Sequence, residues 1–215
     1  MKHKFSEYLY WILAVVPFLI SAAFYSRLPE TVAVHWNAAG QPNGYASKTF
    51  AAFGVPAMMF GIILLVNFAF RFDPRRQNID RSPQMKAVTR WGVLILTFVC
   101  EFATVFQAAG FSFNIAELTL PLAGLFFILI GNYLPKCKYN YTMGIRLPWT
   151  LASEENWRKT HRFAGKFWIL AGILIAVSGL LKLAWAVSAG VAVAVVVPCV
   201  YSFLLFCRTK QSGDD

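Results

Sequence analysis

The stretch that decides the fold is FWILAGILIAVSGLLKLAWAVSAGVAVAVVVPCVYSFLLFC, residues 167–207, 41 positions with a single charge at Lys182. As one helix at about 1.5 Å per residue it would run about 60 Å, twice the roughly 30 Å of a bilayer core. It therefore folds back on itself as two spans, and Lys182, Ser188 and Gly190 place the turn near residues 183–188. Working outward, Tyr8–Ser26, Phe50–Phe70, Trp91–Ala109 and Ala116–Leu134 are apolar runs that approach the roughly 20 residues of a membrane-crossing helix.

Composition agrees. Of 215 residues, 58% are hydrophobic and 14% charged, with a mean hydropathy of +0.54, against roughly 25% charged residues in a soluble domain. A chain in lipid must satisfy its own backbone, as helices or as a closed barrel, and long unbroken apolar runs select helices. The expected fold is an all-α integral membrane protein with six transmembrane helices. The domain reading is serial: an N-terminal helix pair, 1–70, with an outer loop at 27–49; a basic cytoplasmic loop, 71–90; and a region 91–215 with the last four spans and a cytoplasmic loop at 135–166.

Charge orients it. Seventeen of the twenty Lys and Arg residues fall at the N-terminus, in 71–90, in 135–166 and in the tail, while Arg27, Lys48 and Lys182 fall on the other side. The positive-inside bias puts both termini in the cytoplasm. The net charge of +10 then reads as a topology signal with attraction to anionic inner-leaflet lipids; direct nucleic-acid binding is not expected, because the basic residues are split among loops. The first span is kept as a helix and not a signal peptide, since Pro17 interrupts it and no small-x-small site follows. Cys100, Cys137, Cys199 and Cys207 lie in spans or on the cytoplasmic side, so no disulfide framework is implied.

Three polar features stand out. VHWNAAGQPNGYASK, residues 34–48, sits between the first two spans; Val32, Val34 and Trp36 alternate with Ala33 and His35, and Pro42-Asn43-Gly44 is turn chemistry. A short extended segment folding back over the helix ends fits. His35 lacks the three or four ligands of a zinc site, with Glu30 and Glu117 alone nearby, so neither metal nor cofactor is expected. Trp36 and Tyr45 suit the membrane interface.

The second feature is GNYLPKCKYNYTMGIRLPWTLASEENWRKTHRFAGKFW, residues 131–168. Its Gly, Pro and Asn residues up to Pro148 forbid a continuous helix; Asn140-Tyr141-Thr142 is a glycosylation sequon only by chance, being cytoplasmic. Ser153 then caps a helix with Glu154 and Glu155 in its first turn. Trp157, His161, Ala164 and Trp168 share one face and Arg158, Arg162 and Lys166 another, the pattern of an amphipathic helix on the inner leaflet running into the fifth span. Either this is a membrane-surface elbow, or Asn140, Arg146, Trp149 and His161 form a docking surface.

The third is Glu101, about ten residues into the third span, with Thr97 and Thr104 on its face. It is either a protonated packing device or a proton or cation site. No GxSxG, HExxH, P-loop or GxGxxG stands in a suitable context, so no enzyme is expected.

The inner elements GNYLP (131–135), GIRLPWTL (144–151) and SEENWRKTHRFAGK (153–166), together with the outer HWN, Gly, Pro-Asn-Gly-Tyr and Lys, resemble the signature of the SdpI-type immunity proteins of bacteria. Leu147 stands where Thr is expected and Asn43 where Asp is expected. The resemblance covers nearly the whole chain. It implies a multipass plasma-membrane protein that protects its producer from a secreted peptide toxin, and for the best-known member a second role, holding a small cytoplasmic repressor at the membrane. It marks an outer element of His35, Trp36, Asn37, Gly40, Pro42, Gly44, Tyr45 and Lys48. Its inner signature is Gly131, Asn132, Pro135, Gly144, Arg146, Pro148, Trp149, Trp157, His161, Arg162 and Gly165. The rival reading is a small ion-coupled transporter built on Glu101.

Overall fold

The computed structural model describes residues 2–211, with side chains for 5–209; the side chains of Lys2, Lys4 and Lys210, part of the charge count above, lie outside the described residues. Among the described residues six helices are long and apolar enough to cross a membrane, and the protein is an all-α six-span membrane protein. The helices are α1 (Lys2–Phe24), α2 (Val55–Phe72), α3 (Arg76–Asp80), α4 (Pro83–Ala108), α5 (Ile115–Tyr133), α6 (Pro148–Ala152), α7 (Glu154–Leu181) and α8 (Ala184–Gln211). A two-stranded antiparallel sheet, β1 (Thr31–Trp36) and β2 (Pro42–Ser47), lies between the first two spans. A reporter enzyme active only outside the cytoplasm should be active when fused at Gly40 and silent at Thr150; activity at Thr150 would reverse the orientation.

The chain folds as two compact units, Met1–Asn67 with Arg90–Thr119, and Phe68–Thr89 with Leu120–Asp215. The division is not serial, because α2, α4 and α5 each contribute to both.

In the first unit, Tyr10, Ala14, Ile63 and Leu94 form one buried cluster, and Leu28, Val32, Ala51, Ala52 and Val105 another. The second unites the root of the hairpin with the spans, through the alternation that puts Val32 inward (1% exposed) and His35 outward. The hairpin turn is not where Pro42-Asn43-Gly44 suggested. Those residues belong to β2, and the chain reverses at 37–41, where the Asn37 carboxamide accepts from the Ala39 and Gln41 amides, both at 3.0 Å, and Gly40 takes φ +78°. Gly44 has another role: it faces His35 across the sheet, and a Cβ there would lie 2.9 Å from the His35 Cβ.

In the second unit the 41-residue block divides as expected, at 182–183, one residue earlier than the expected window. Lys182 adopts the left-handed conformation (φ 57°), and its own amide and that of Leu183 return to the Ser178 carbonyl, which closes the helix end without glycine. Ser188 and Gly190 lie inside α8; Gly190 is a contact residue, against Ile175 and the Ala171 carbonyl. The amphipathic segment is continuous with the fifth span in a single 28-residue helix, about 42 Å long, of which about 30 Å covers the bilayer core. Its opening turns therefore extend the span, with Trp157, His161 and Ala164 buried and Arg158, Arg162 and Lys166 exposed. The 71–90 segment is not all loop either: α3 and the first two turns of α4, opened by Pro83, occupy much of it.

Candidate functional site

In the second unit, residues 137–147 form no regular structure, so their backbone groups need side-chain partners wherever they are buried. The 69–90 segment supplies several. Asp73 accepts from the Tyr141 amide at 2.9 Å and the Thr142 hydroxyl at 2.6 Å; Asn78 donates to the Tyr139 carbonyl at 2.7 Å, and the Lys138 amide donates to the Ser82 hydroxyl at 2.9 Å. Asn140 ties the loop to itself, its carbonyl oxygen accepting from the Thr142 and Met143 amides at 2.8 and 2.6 Å and its amide nitrogen donating to the Lys138 carbonyl.

Helix α7 closes the far side. Trp157 donates its indole N–H to the Cys137 carbonyl at 3.0 Å, and the His161 ring stacks on Trp157 with centroids 3.9 Å apart. The Ile145 amide donates to His161 Nε2 at 3.0 Å, and Nδ1 faces the Trp157 carbonyl at 2.8 Å. Since Nε2 accepts, Nδ1 carries the hydrogen and the ring is neutral. Gly144, at φ +98°, passes so close to this ring that any Cβ would collide with Nε2. The Cys137 thiol is buried among these groups, and burial pushes its pKa up to about 11, so it stays protonated and unreactive.

Asn140 and His161 are 0% and 1% exposed. They shape a surface from beneath and do not present one. Trp149 is turned toward α8, its indole donating to the Ser202 hydroxyl at 2.8 Å, with its ring against Phe203. Arg146 is exposed, with one guanidinium nitrogen on the Tyr141 carbonyl at 2.9 Å. Asn132, Pro135, Pro148 and Arg162 are exposed as well. A cleft of 390 Å³ opens beside the loop, lined by residues 135–139 and by Glu154, Glu155, Trp157 and Arg158.

Sequence reading missed Asp73, Asn78 and Ser82, whose roles are set by distant partners. It also missed a glycine seam. A Cβ on Gly124 would collide with the Gly172 carbonyl, one on Gly131 would lie 2.8 Å from the Gly165 carbonyl, and one on Gly165 2.7 Å from the Gly131 carbonyl. Gly124 and Gly131 on α5 thus face Gly172 and Gly165 on α7, two pairs seven residues apart in antiparallel register, a spacing visible in the sequence. Small residues let membrane helices approach to backbone contact.

Leu147 starts α6 in the extended conformation of an N-cap (φ −103°, ψ 154°), and its amide donates to the Thr150 hydroxyl at 2.8 Å. Leucine has no side-chain acceptor to complete the reciprocal half of a capping box. Leu147→Thr should supply it and raise stability by about 0.5–2 kcal/mol, read as a higher unfolding midpoint in detergent; an unchanged or lower midpoint would show that the leucine packs too well to replace.

The first unit holds the outer residues. His35 Nδ1 and Asn43 Oδ1 pair across the strands at 2.6 Å, Trp36 donates to Gln107 on α4 at 2.9 Å, and Lys48 stands over the Tyr25 ring at 4.8 Å. Gly40 is cradled by Asn114 and Ala116. His35, Asn37, Pro42, Asn43 and Tyr45 are exposed, Tyr45 at 61%. Among the described residues no three His, Cys, Asp or Glu side chains gather as a metal site. Glu101, Thr97 and Thr104 are all buried.

Residues 136–202 match the SdpI/YfhL protein family, and residues 12–60 match a domain of unknown function, DUF1648. The chain is 28% identical over 167 residues to the immunity protein SdpI of Bacillus subtilis (strain 168), covering 77% of each. No solved structure matches it. The family match begins at Lys136 and ends at Ser202, and so contains the node built on Asn140, Gly144, Trp157 and His161 together with the Ser202 hydroxyl that holds Trp149: this chain is a multipass bacterial membrane protein similar to the SdpI-type proteins.

Proposed function

We propose that this protein is an immunity protein that protects the producing bacterium from a secreted antimicrobial peptide, acting by recognition and without catalysis. The observation that carries the proposal is the outer hairpin. It is a rigid platform, braced by the buried Val32, the turn carboxamide of Asn37 and the Trp36–Gln107 bond, that holds His35, Asn43 and Tyr45 exposed. A peptide that attacks the membrane meets this platform first, and a rigid aromatic with polar neighbours is the kind of surface that anchors an amphipathic partner. The name of the Bacillus subtilis relative supports the same reading.

On the cytoplasmic side we assign the exposed Arg146, Arg158 and Arg162, with the cleft beside residues 135–139, to a second partner, a small repressor protein, while Asn140, Trp157 and His161 hold that surface in shape.

A double substitution, His35→Ala with Tyr45→Ala, should abolish protection while leaving the membrane level and unfolding midpoint unchanged, since exposed positions away from caps and cores move stability by about 0.5 kcal/mol or less. A photoreactive residue at Tyr45 should form an adduct with the peptide. Full protection by the double variant would remove the hairpin from recognition.

A further inference from the structure

Inside the membrane-spanning part of α4 lies an acid that protection by recognition does not use. Glu101 is 1% exposed and seven residues from the outer end of α4, about 10 Å along the helix. The Ser21 hydroxyl of α1 donates to its Oε1, while Oε2 is fully buried with no hydrogen-bond partner among the described residues. Thr97 and Thr104, buried at 1% and 2%, flank it on the same face of α4, and the Thr97 hydroxyl is turned back onto the Val93 carbonyl at 3.0 Å.

Among the described residues no cation balances the carboxyl. Arg90, on the same helix, is eleven positions away and forms a two-pronged pair with Glu7 at 2.6 and 3.0 Å. The titratable neighbour on α4 is Cys100, and the group facing Glu101 from α1 is the neutral Ser21. Gln107, one and a half turns further out, is neutral and engaged by Trp36. An ionised carboxylate with one hydrogen bond and no counterion is costly in hydrocarbon, and such a group neutralises itself. A hard metal cation would need about six oxygen ligands; the side-chain oxygens gathered here are the carboxyl pair and the Ser21 hydroxyl.

We propose that Glu101 is an intramembrane proton-binding site. Its carboxyl carries an exchangeable proton on Oε2, and Ser21 holds the opposite oxygen. The site does not depend on the immunity reading.

A carbodiimide soluble in lipid adds to protonated carboxyls and not to carboxylates, so it reads the proton directly. The full chain in lipid nanodiscs, free of sodium, is treated at about pH 6, above the ordinary carboxylate range, and again at about pH 9, and modified peptides are mapped by mass. The expected result is modification at Glu101, absent from Glu101→Gln, that falls several-fold at the higher pH while the water-facing acids stay unmodified. No modification at either pH would overturn the proposal, as would equal modification at both, which means a proton that never leaves. Suppression by sodium at the lower pH would also overturn it, in favour of an alkali-cation site. The measurement is made on the unsubstituted protein, so a folding defect in a variant does not decide it.

Discussion

Gly144→Ala should destroy the node built on Asn140, Trp157 and His161. The residue sits at φ +98° with the His161 ring in the space a Cβ would fill. Two costs add: a side chain at positive φ costs about 1–2 kcal/mol, and displacing His161 leaves the Ile145 amide and the imidazole nitrogen without partners, about 1–3 kcal/mol. The total, about 2–5 kcal/mol, is a large part of the stability of an ordinary domain. Gly110 is the control, since it has φ +96° with nothing within 4 Å of its would-be Cβ. Gly110→Ala pays the first cost and escapes the second. Unfolding midpoints in detergent should therefore fall in the order wild type, Gly110→Ala, Gly144→Ala; equal losses for the two variants would show that the ring contact contributes nothing.

Gly172→Val should do comparable damage by another route. Its Cβ would stand 2.5 Å from the Gly124 carbonyl and 2.7 Å from Ile128, and neither a helix backbone nor a β-branched side chain packed against it yields easily. Overpacking of this kind costs about 1–3 kcal/mol where the neighbours can relax, and more where a backbone must move. The matched control is Gly61→Ala in α2, where a Cβ meets nothing within 4 Å; it should be neutral or stabilising by up to about 1 kcal/mol, the helix-propensity gain over glycine. A fully stable Gly172→Val protein would mean that α5 and α7 do not meet at the glycine seam.

The fold was legible where physics acts on long stretches. A 41-residue apolar block can only be two spans, and Ser153 with the acids after it marks the start of α7; the Ser153 side chain does accept from the Asn156 amide. Local chemistry misled where two solutions compete. Pro42-Asn43-Gly44 has turn propensity, yet Asn37 and Gly40 make the turn, because the Asn37 side chain can hold two amides and Gly40 can press against Asn114 and Ala116. The same holds at the hairpin between α7 and α8: Gly190 looked like part of the turn and is a packing contact, while Lys182 takes the left-handed position.

The node was half visible. Helix spacing put Trp157 and His161 on one face, Asn140 stood out as a loop polar residue, and Gly144 was marked by the family resemblance alone. Asp73, Asn78 and Ser82 could not be found, because each acts on backbone more than fifty residues away. Exposure was the other unreadable quantity. A polar, aromatic loop on a membrane protein suggests a docking surface, but Asn140 is buried and spent on the loop's own amides and carbonyls. Of the basic residues there, Arg146, Arg158 and Arg162 are exposed.

The central claim, protection against a secreted peptide, is tested most directly by survival. A peptide-sensitive bacterium expressing this chain, and a matched strain expressing the His35→Ala, Tyr45→Ala variant at the same membrane level, are challenged with secreted antimicrobial peptides, including any encoded beside this gene. The account predicts that the first strain survives at least one peptide that kills both the variant and the empty-vector strain. Equal killing of all three strains by every peptide tested would contradict it.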